Sequence, residues 1–306
     1  MHTLTPSGSP DPRTRHFGVF YGLDEPAGDG PVTLVVGNCQ AESLRIMLDA
    51  GDLRTVRLPA VHELTAADMP FLARWIERAD ILISQPVRDD YHALPVGTDQ
   101  LASRLRSGGR VVRVPVIRFA GLYPAHAIIR PPRDAGMTPP LVEYHDLRLL
   151  VEAAGREPLP ALDAERVRAI AELSLGELTR RERAHDALVL SDVFRSPSFE
   201  LMRTLNHPGN PVWSVAASRV RQRLGLAEAP VDPGRPLLDS IHAPRERAVI
   251  EAWGLDDEPV EDWRVGGAVV TADQVRDAHL RWYHDNPDVV VAGLARHADT
   301  LRVLSA

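Results

Sequence analysis

Between Val32 and Ile117 short β-branched runs alternate with amphipathic stretches, a rhythm that few folds accommodate. Val32–Val36 reads as a buried strand, and the stretch after it puts Leu44, Met47 and Leu48 on one helical face before Gly51 stops it. Residues 55–58 and 81–83 read as further short strands, and residues 111–117 as the longest. Pro70 opens a helix with Leu72, Trp75, Ile76 and Ala79 on its apolar face, and another helix around Leu101 and Leu105 stops at Gly108 and Gly109. This alternation predicts an α/β fold, a parallel sheet with helices on both faces around a Rossmann-like or SGNH-like core. Sites in such sheets lie beyond the carboxyl ends of the strands, where the turns 37–40, 84–86 and 118–124 are expected to share a rim.

The chain divides by composition into four stretches. Residues 1–30 carry Gly, Pro and Asp without periodicity and read as a loose lead-in, with a possible strand over 16–21. Residues 31–135 are the α/β core, which ends in the break Pro131-Pro132. Residues 136–226 are mainly helical, with helix candidates at 140–154, 164–186 and 212–224 and a histidine loop before the last. Residues 227–306 are a C-terminal appendage, Pro- and acid-rich before a helix near 271–284. The run Arg180-Arg181-Glu182-Arg183 reads as a solvated helix face.

Charge narrows the chemistry. A formal net charge of −7 argues against nucleic acid as a partner. All 35 basic residues are arginine, so Schiff-base and lysine-base catalysis are excluded. The single cysteine, Cys39, excludes an internal disulfide and a multi-cysteine metal site, and His, Asp and Glu show no recognised metal spacing. Residues 1–11 hold no apolar core, and no run approaches the roughly 20 apolar residues of a membrane span. The expectation is a cytoplasmic protein with no metal and no membrane span.

Cys39 falls in Gly37-Asn38-Cys39-Gln40, at a strand-to-helix turn where free N–H groups and the helix dipole can lower a thiol pKa and hold an anion. It is either a reactive nucleophile or a packed small hydrophobe beside a capping Asn38. Three more patterns carry candidate chemistry: Ser84-Gln85-Pro86, Tyr144-His145-Asp146 and Asn206-His207-Pro208. Pro86 forces Gln85 to be extended, aiming its amide into the rim or merely making a turn. His207, placed in a loop, and His145 are the candidate bases. Asp146 next to His145 on a helix would point roughly 100° away, so no direct pair is implied. Gly121 allows a close backbone approach to a ligand, or simply ends a strand.

The order and spacing of these patterns, with Phe119-Ala120-Gly121-Leu122-Tyr123-Pro124 between the second and third, resemble the WcbI-type polysaccharide biosynthesis acetyltransferase family over about residues 32–225. The resemblance implies an α/β protein with added helices that binds coenzyme A and moves an acyl group onto a sugar hydroxyl. Acyl-CoA is then the cosubstrate, and the acceptor is a sugar, polysaccharide or glycosylated natural product. Two mechanisms fit the residues. In one, Cys39 takes the acyl group and a histidine activates the acceptor; in the other, His207 or His145 deprotonates the hydroxyl for direct attack. Gly37, Asn38, Gln40, Gln85, Gly121 and Asn206 are the oxyanion or substrate contacts of this reading. Arg118, Arg130 and Arg133 are its candidates for the coenzyme A phosphates. The rivals are an SGNH-like esterase and a non-catalytic coenzyme A- or sugar-binding protein.

Overall fold

The computed structural model describes residues 11–306 apart from Pro132 and Ala135. The start of the lead-in, residues 1–10, and the second proline of the Pro131-Pro132 break lie outside the described residues. In chain order α1 (Pro12–His16) and α2 (Gly18–Tyr21) precede β1 (Val32–Val36), α3 (Cys39–Leu48), β2 (Arg54–Val56), α4 (Met69–Arg78), β3 (Ile81–Ser84), α5 (Thr98–Ala102) and β4 (Arg110–Arg113). The four strands form one sheet in the order β2-β1-β3-β4, every pair parallel. Each residue of β1 and β3 is buried, so both faces at the sheet's centre are covered, as the α/β reading requires.

The chain gathers into two compact units. Of the described residues, the first holds those up to Val116, His185–Leu188 and Trp213–Arg235; the second holds those of Ile117–Ala184, Val189–Val212 and Pro236–Ala306. In the first unit the sheet shares its core with Phe20, Leu72, Trp75, Ile76 and Leu101. Residues 16–21 are helical, not the strand their sequence suggests. Asp11 caps α1 by accepting from the amides of Arg13 and Thr14, and Trp75 Nε1 donates to the Phe20 carbonyl at 2.9 Å. Strand β4 stops at Arg113, short of the predicted Ile117, because Pro115 has no N–H to continue a ladder.

The remaining elements are β5 (His126–Ala127), β6 (His145–Asp146), α6 (Leu147–Ala153), α7 (Ala164–Ala184), β7 (Met202–Thr204), β8 (His207–Pro208), α8 (Asn210–Arg223), β9 (Ile241–His242), α9 (Arg247–Trp253), β10 (Trp263–Val265), β11 (Ala268–Val270), α10 (Ala272–Asp285), α11 (Pro287–Arg296) and α12 (Ala298–Ser305). The C-terminal part is mainly helical, as expected. The helix predicted over 140–154 begins only at Leu147. Leu141 has a φ of 69°, and the Asp146 side chain accepts from the Arg148 amide at 2.8 Å, which fixes the start of α6. His145 and Asp146 therefore lie on a strand. The run from Arg180 to Arg183 also divides. Arg180 is exposed, whereas Glu182 is 2% exposed and accepts from the amides of Leu190 and Ser191 at 2.7 and 2.8 Å.

Ile129, Leu147, Leu150, Tyr283, Val290 and Leu294 form the core of the second unit. His145 is enclosed there, with Nδ1 2.8 Å from the Tyr283 hydroxyl and Nε2 3.2 Å from the Ile129 carbonyl. Burial pushes the His145 imidazole down to about 3, and burial beside Arg296 pushes that of His297 down to about 4. Both stand below the ordinary histidine value of 6.5, so on acidification the unfolded chain takes up these protons first. Their contribution is complete above pH 6.5 and is lost as pH falls toward the folded values, by about 1.4 kcal/mol per pH unit for each imidazole. Urea unfolding at pH 7.5 and 5.5 should show a fall in stability on acidification, and the fall should be smaller in His297→Gln. Equal stability at the two pH values would contradict this account.

Candidate functional site

Strand β1 delivers the chain to Gly37, and α3 begins two residues later with Cys39 as its first residue. Asn38 caps the helix, its Oδ1 accepting from the Gln40 amide at 2.9 Å. Cys39 is exposed at the end of α3 where amide N–H groups point outward and the dipole is positive. A single residue after β3 braces this turn. Gln85 Oε1 accepts from the Asn38 amide at 2.9 Å, its Nε2 donates to Gln40 Oε1 at 3.0 Å, and its own amide donates to the Val36 carbonyl at 2.9 Å. Gln85 and Gln40 are buried, so each of these bonds replaces water. Gly37 has room for nothing larger, since a Cβ there would stand 2.4 Å from Gln85 Oε1.

Turns 37–40 and 84–86 thus form one structure. In front of Cys39 is a hollow of about 220 Å³, lined among others by Phe17, Leu58, Arg57 and Glu63. Arg57 Nε lies 3.1 Å from Glu42 Oε1, which places a guanidinium at the hollow. Sequence reading does not find Arg57. It arrives through the pairing of Val32 with Arg54 in the sheet, which no local pattern encodes.

The turn 118–124 belongs to the second unit. There a Cβ on Gly121 would come within 2.3 Å of the Phe119 ring and 2.7 Å of Ala171, and the Gly121 carbonyl accepts from Trp253 Nε1 at 2.9 Å. His207 is on strand β8, paired with Thr204 of β7, and is 6% exposed; the loop expected there is a tight two-stranded hairpin. The Tyr144 hydroxyl donates to Asn206 Oδ1 at 2.6 Å and accepts from Thr204 Oγ1 at 2.9 Å, and its ring stands edge-on to His207 at 6.2 Å. Among the described residues His207 Nδ1 has no hydrogen-bond partner although it is buried. Burial holds this imidazole below the ordinary histidine value, against the opposing pull of Glu143. It is therefore neutral at pH 7, the form that accepts a proton. His145 has both ring nitrogens engaged in the core.

The three candidate arginines, all in the second unit, differ in their surroundings. Arg133 is exposed and pairs with Asp288 and Asn286. Arg130 pairs with Glu143 at 3.0 Å. The Arg118 guanidinium has no ion pair or hydrogen bond among the described residues, and its Nε is buried. Among the described residues no group of three His, Cys, Asp or Glu side chains is placed to hold a metal ion, and no helix is long and apolar enough to cross a membrane.

The sequence profile of a family described as polysaccharide biosynthesis enzyme WcbI matches residues 32–229. No match was found among curated proteins. Among solved structures, the chain is similar to WcbI itself, described as a novel polysaccharide biosynthesis enzyme in its native form without a disulfide bond between coenzyme A and a cysteine. The superposition has a TM-score of 0.75 at 18% identity and covers 91% of this chain and 100% of that one. At that identity the likeness is one of fold.

Gly37→Ala and Gln85→Ala should each destabilise the protein by about 1–3 kcal/mol, because each leaves the buried groups around Asn38 and Gln40 unpaired. Their effects should not add in the double variant, since both act through the same side chain. Additive losses in chemical denaturation would mean that Gln85 does not brace the turn.

Proposed function

This chain belongs to the WcbI family of polysaccharide biosynthesis enzymes, and we propose that it transfers an acyl group from acyl-coenzyme A to a hydroxyl of a sugar-bearing acceptor. The observation that carries the reading is the exposed thiol of Cys39 at the first position of α3, facing a hollow of about 220 Å³. That volume is below the range that encloses a whole drug-sized ligand, so it suits the sulfur end of a coenzyme A thioester rather than the entire molecule. The description of the solved WcbI structure, which speaks of coenzyme A and a cysteine, supports the same assignment.

The residues divide the work as follows. The thioester supplies an already activated carbonyl. Cys39, Asn38 and Gln40 occupy a helix N-terminus that favours the negative charge developing on a thiolate or an oxyanion. Gly37 and Gln85 hold that turn in place. His207, in the stretch 136–226, takes the acceptor's hydroxyl proton, with Tyr144 and Asn206 fixing its hairpin. Gly121 and His145 serve the second unit by packing, and Arg118 and Arg130 are this reading's candidates for the phosphates of the donor.

Two routes are open to these groups, and they differ at Cys39. If the Cys39 thiolate attacks the thioester, the coenzyme A thiol leaves and an acyl-cysteine forms; the acceptor oxygen then displaces the cysteine as its proton passes to a general base. If the acceptor attacks directly, Cys39 stays unmodified. The test is calorimetric titration with acetyl-coenzyme A followed by mass analysis of the protein, with sugar acceptors added. Saturable binding and acyl transfer to the acceptor are expected. An acetyl adduct absent from Cys39→Ser identifies the covalent route. Release of acetate at the same rate without an acceptor would replace the transferase reading with an esterase.

His207→Ala should lower turnover by roughly 10²–10⁴-fold, the range for a lost general base. In the wild type, activity limited by this base should rise with pH through a midpoint below 6.5 and level off above it, the direction set by burial of the imidazole. A midpoint above 6.5, or unchanged turnover in the variant, would place the base elsewhere.

A further inference from the structure

The second unit holds a cavity of about 480 Å³ that the chemistry above does not use. That volume lies in the range of sites for small organic ligands. Its walls are brought together by the fold: His126 comes from β5, residues 144–149 from β6 and α6, residues 244–247 from the entry to α9, Trp263 from β10, and His279 from α10. His126, Trp263 and Tyr144 form a single aromatic stack in this wall, with ring centroids 5.0 and 5.7 Å apart. Tyr123 also stacks on His126, at 5.8 Å.

The charge on the cavity is balanced. Among the described residues four carboxylates and four guanidiniums line it, and Arg148 is held between Asp146 at 2.6 Å and Glu246 at 2.9 Å. An incoming phosphate or ammonium group therefore meets no excess of opposite charge. What the cavity wall lacks is hydrogen-bond partners. His126 and His279 are 9% and 0% exposed, and Nδ1 of each is buried with no partner among the described residues. A polar atom that has lost water and gained nothing is costly to keep. A hydroxyl both donates and accepts, so it pairs with an imidazole nitrogen in either tautomer.

We infer that this cavity binds a glycosyl ring, a neutral ligand whose hydroxyls pair with the polar wall and whose C–H groups pack on the aromatic one. Resting on the function proposed above, that ring belongs to the acceptor. Tyr144 is the element shared with the histidine hairpin: it lines the cavity, and its ring stands 6.2 Å from that of His207 in the same unit.

Saturation-transfer NMR on the full chain, without coenzyme A, tests the site with the methyl glycosides of glucose, galactose, mannose and N-acetylglucosamine, and with methyl glucuronide as a charged control. Wild type should bind at least one neutral glycoside. Two variants locate it. His126→Phe keeps a ring in the stack and deletes both ring nitrogens, so it should melt no lower than wild type and bind roughly two- to tenfold more weakly, the loss of a neutral hydrogen bond. Ala272→Trp, at an exposed position on the cavity wall, should fold and abolish binding by filling the space. Equal binding by wild type and both variants, or no neutral glycoside bound by wild type, overturns the site and leaves the acyl-transfer reading intact. Tighter binding of methyl glucuronide than of methyl glucoside overturns the assignment to a neutral ligand. Binding lost in Ala272→Trp, by a protein that moves no acetyl group from acetyl-coenzyme A, keeps the glycosyl site and removes the acyl-transfer reading.

Discussion

The geometry of the first unit depends on one side-chain amide placed by sheet register. Val36 pairs with Ser84 at the ends of β1 and β3, so the residue after β3 must lie beside the residue after β1. That residue is Gln85, whose carbonyl and amide ends match the free N–H of Asn38 and the side chain of Gln40. Its own backbone is held from the other side. Thr98 Oγ1 donates to the Gln85 carbonyl at 3.0 Å and accepts from the Val87 amide at 2.9 Å, so the start of α5 fixes the segment that fixes α3. The chain of support runs from the backbone ladder through two polar side chains to the exposed thiol. The turn is held by hydrogen bonds of three buried side chains, Gln85, Gln40 and Thr98.

Two arginines show what the rest of the chain does with charge. Arg221 is 1% exposed and is satisfied from within, by Asp52 and by the Ala227 carbonyl at 2.6 Å. It does what a buried guanidinium does in a stable core: it ties segments distant in sequence. Arg118 has no ion pair or hydrogen bond among the described residues, and its Nε is buried.

Much of this was legible in the sequence. The parallel sheet, its buried central strands and the turn around Cys39 follow from β-branched runs, amphipathic periods and a capping asparagine. The pairing of turns 37–40 and 84–86 follows from the rule that neighbouring parallel strands end side by side. What escaped is set by contacts far apart along the chain. Strands of two or three residues, such as β5 through β11, are too short to show a period of two. His207 looked like a loop residue because a two-residue strand between Asn206 and Gly209 leaves no signature, and its burial comes from Tyr144, far upstream. Glu182 sits in a run of charges that is polar to the eye; only the fold reveals that α7 turns it toward the amides of Leu190 and Ser191.

Cys39 is the sole sulfhydryl of the chain and it is exposed. A thiol-reactive probe therefore modifies one atom per molecule, with no background from other cysteines and no mutagenesis to prepare the protein. The rate of that labelling reports directly on whatever fills the hollow before it, so the protein carries its own single-point occupancy gauge.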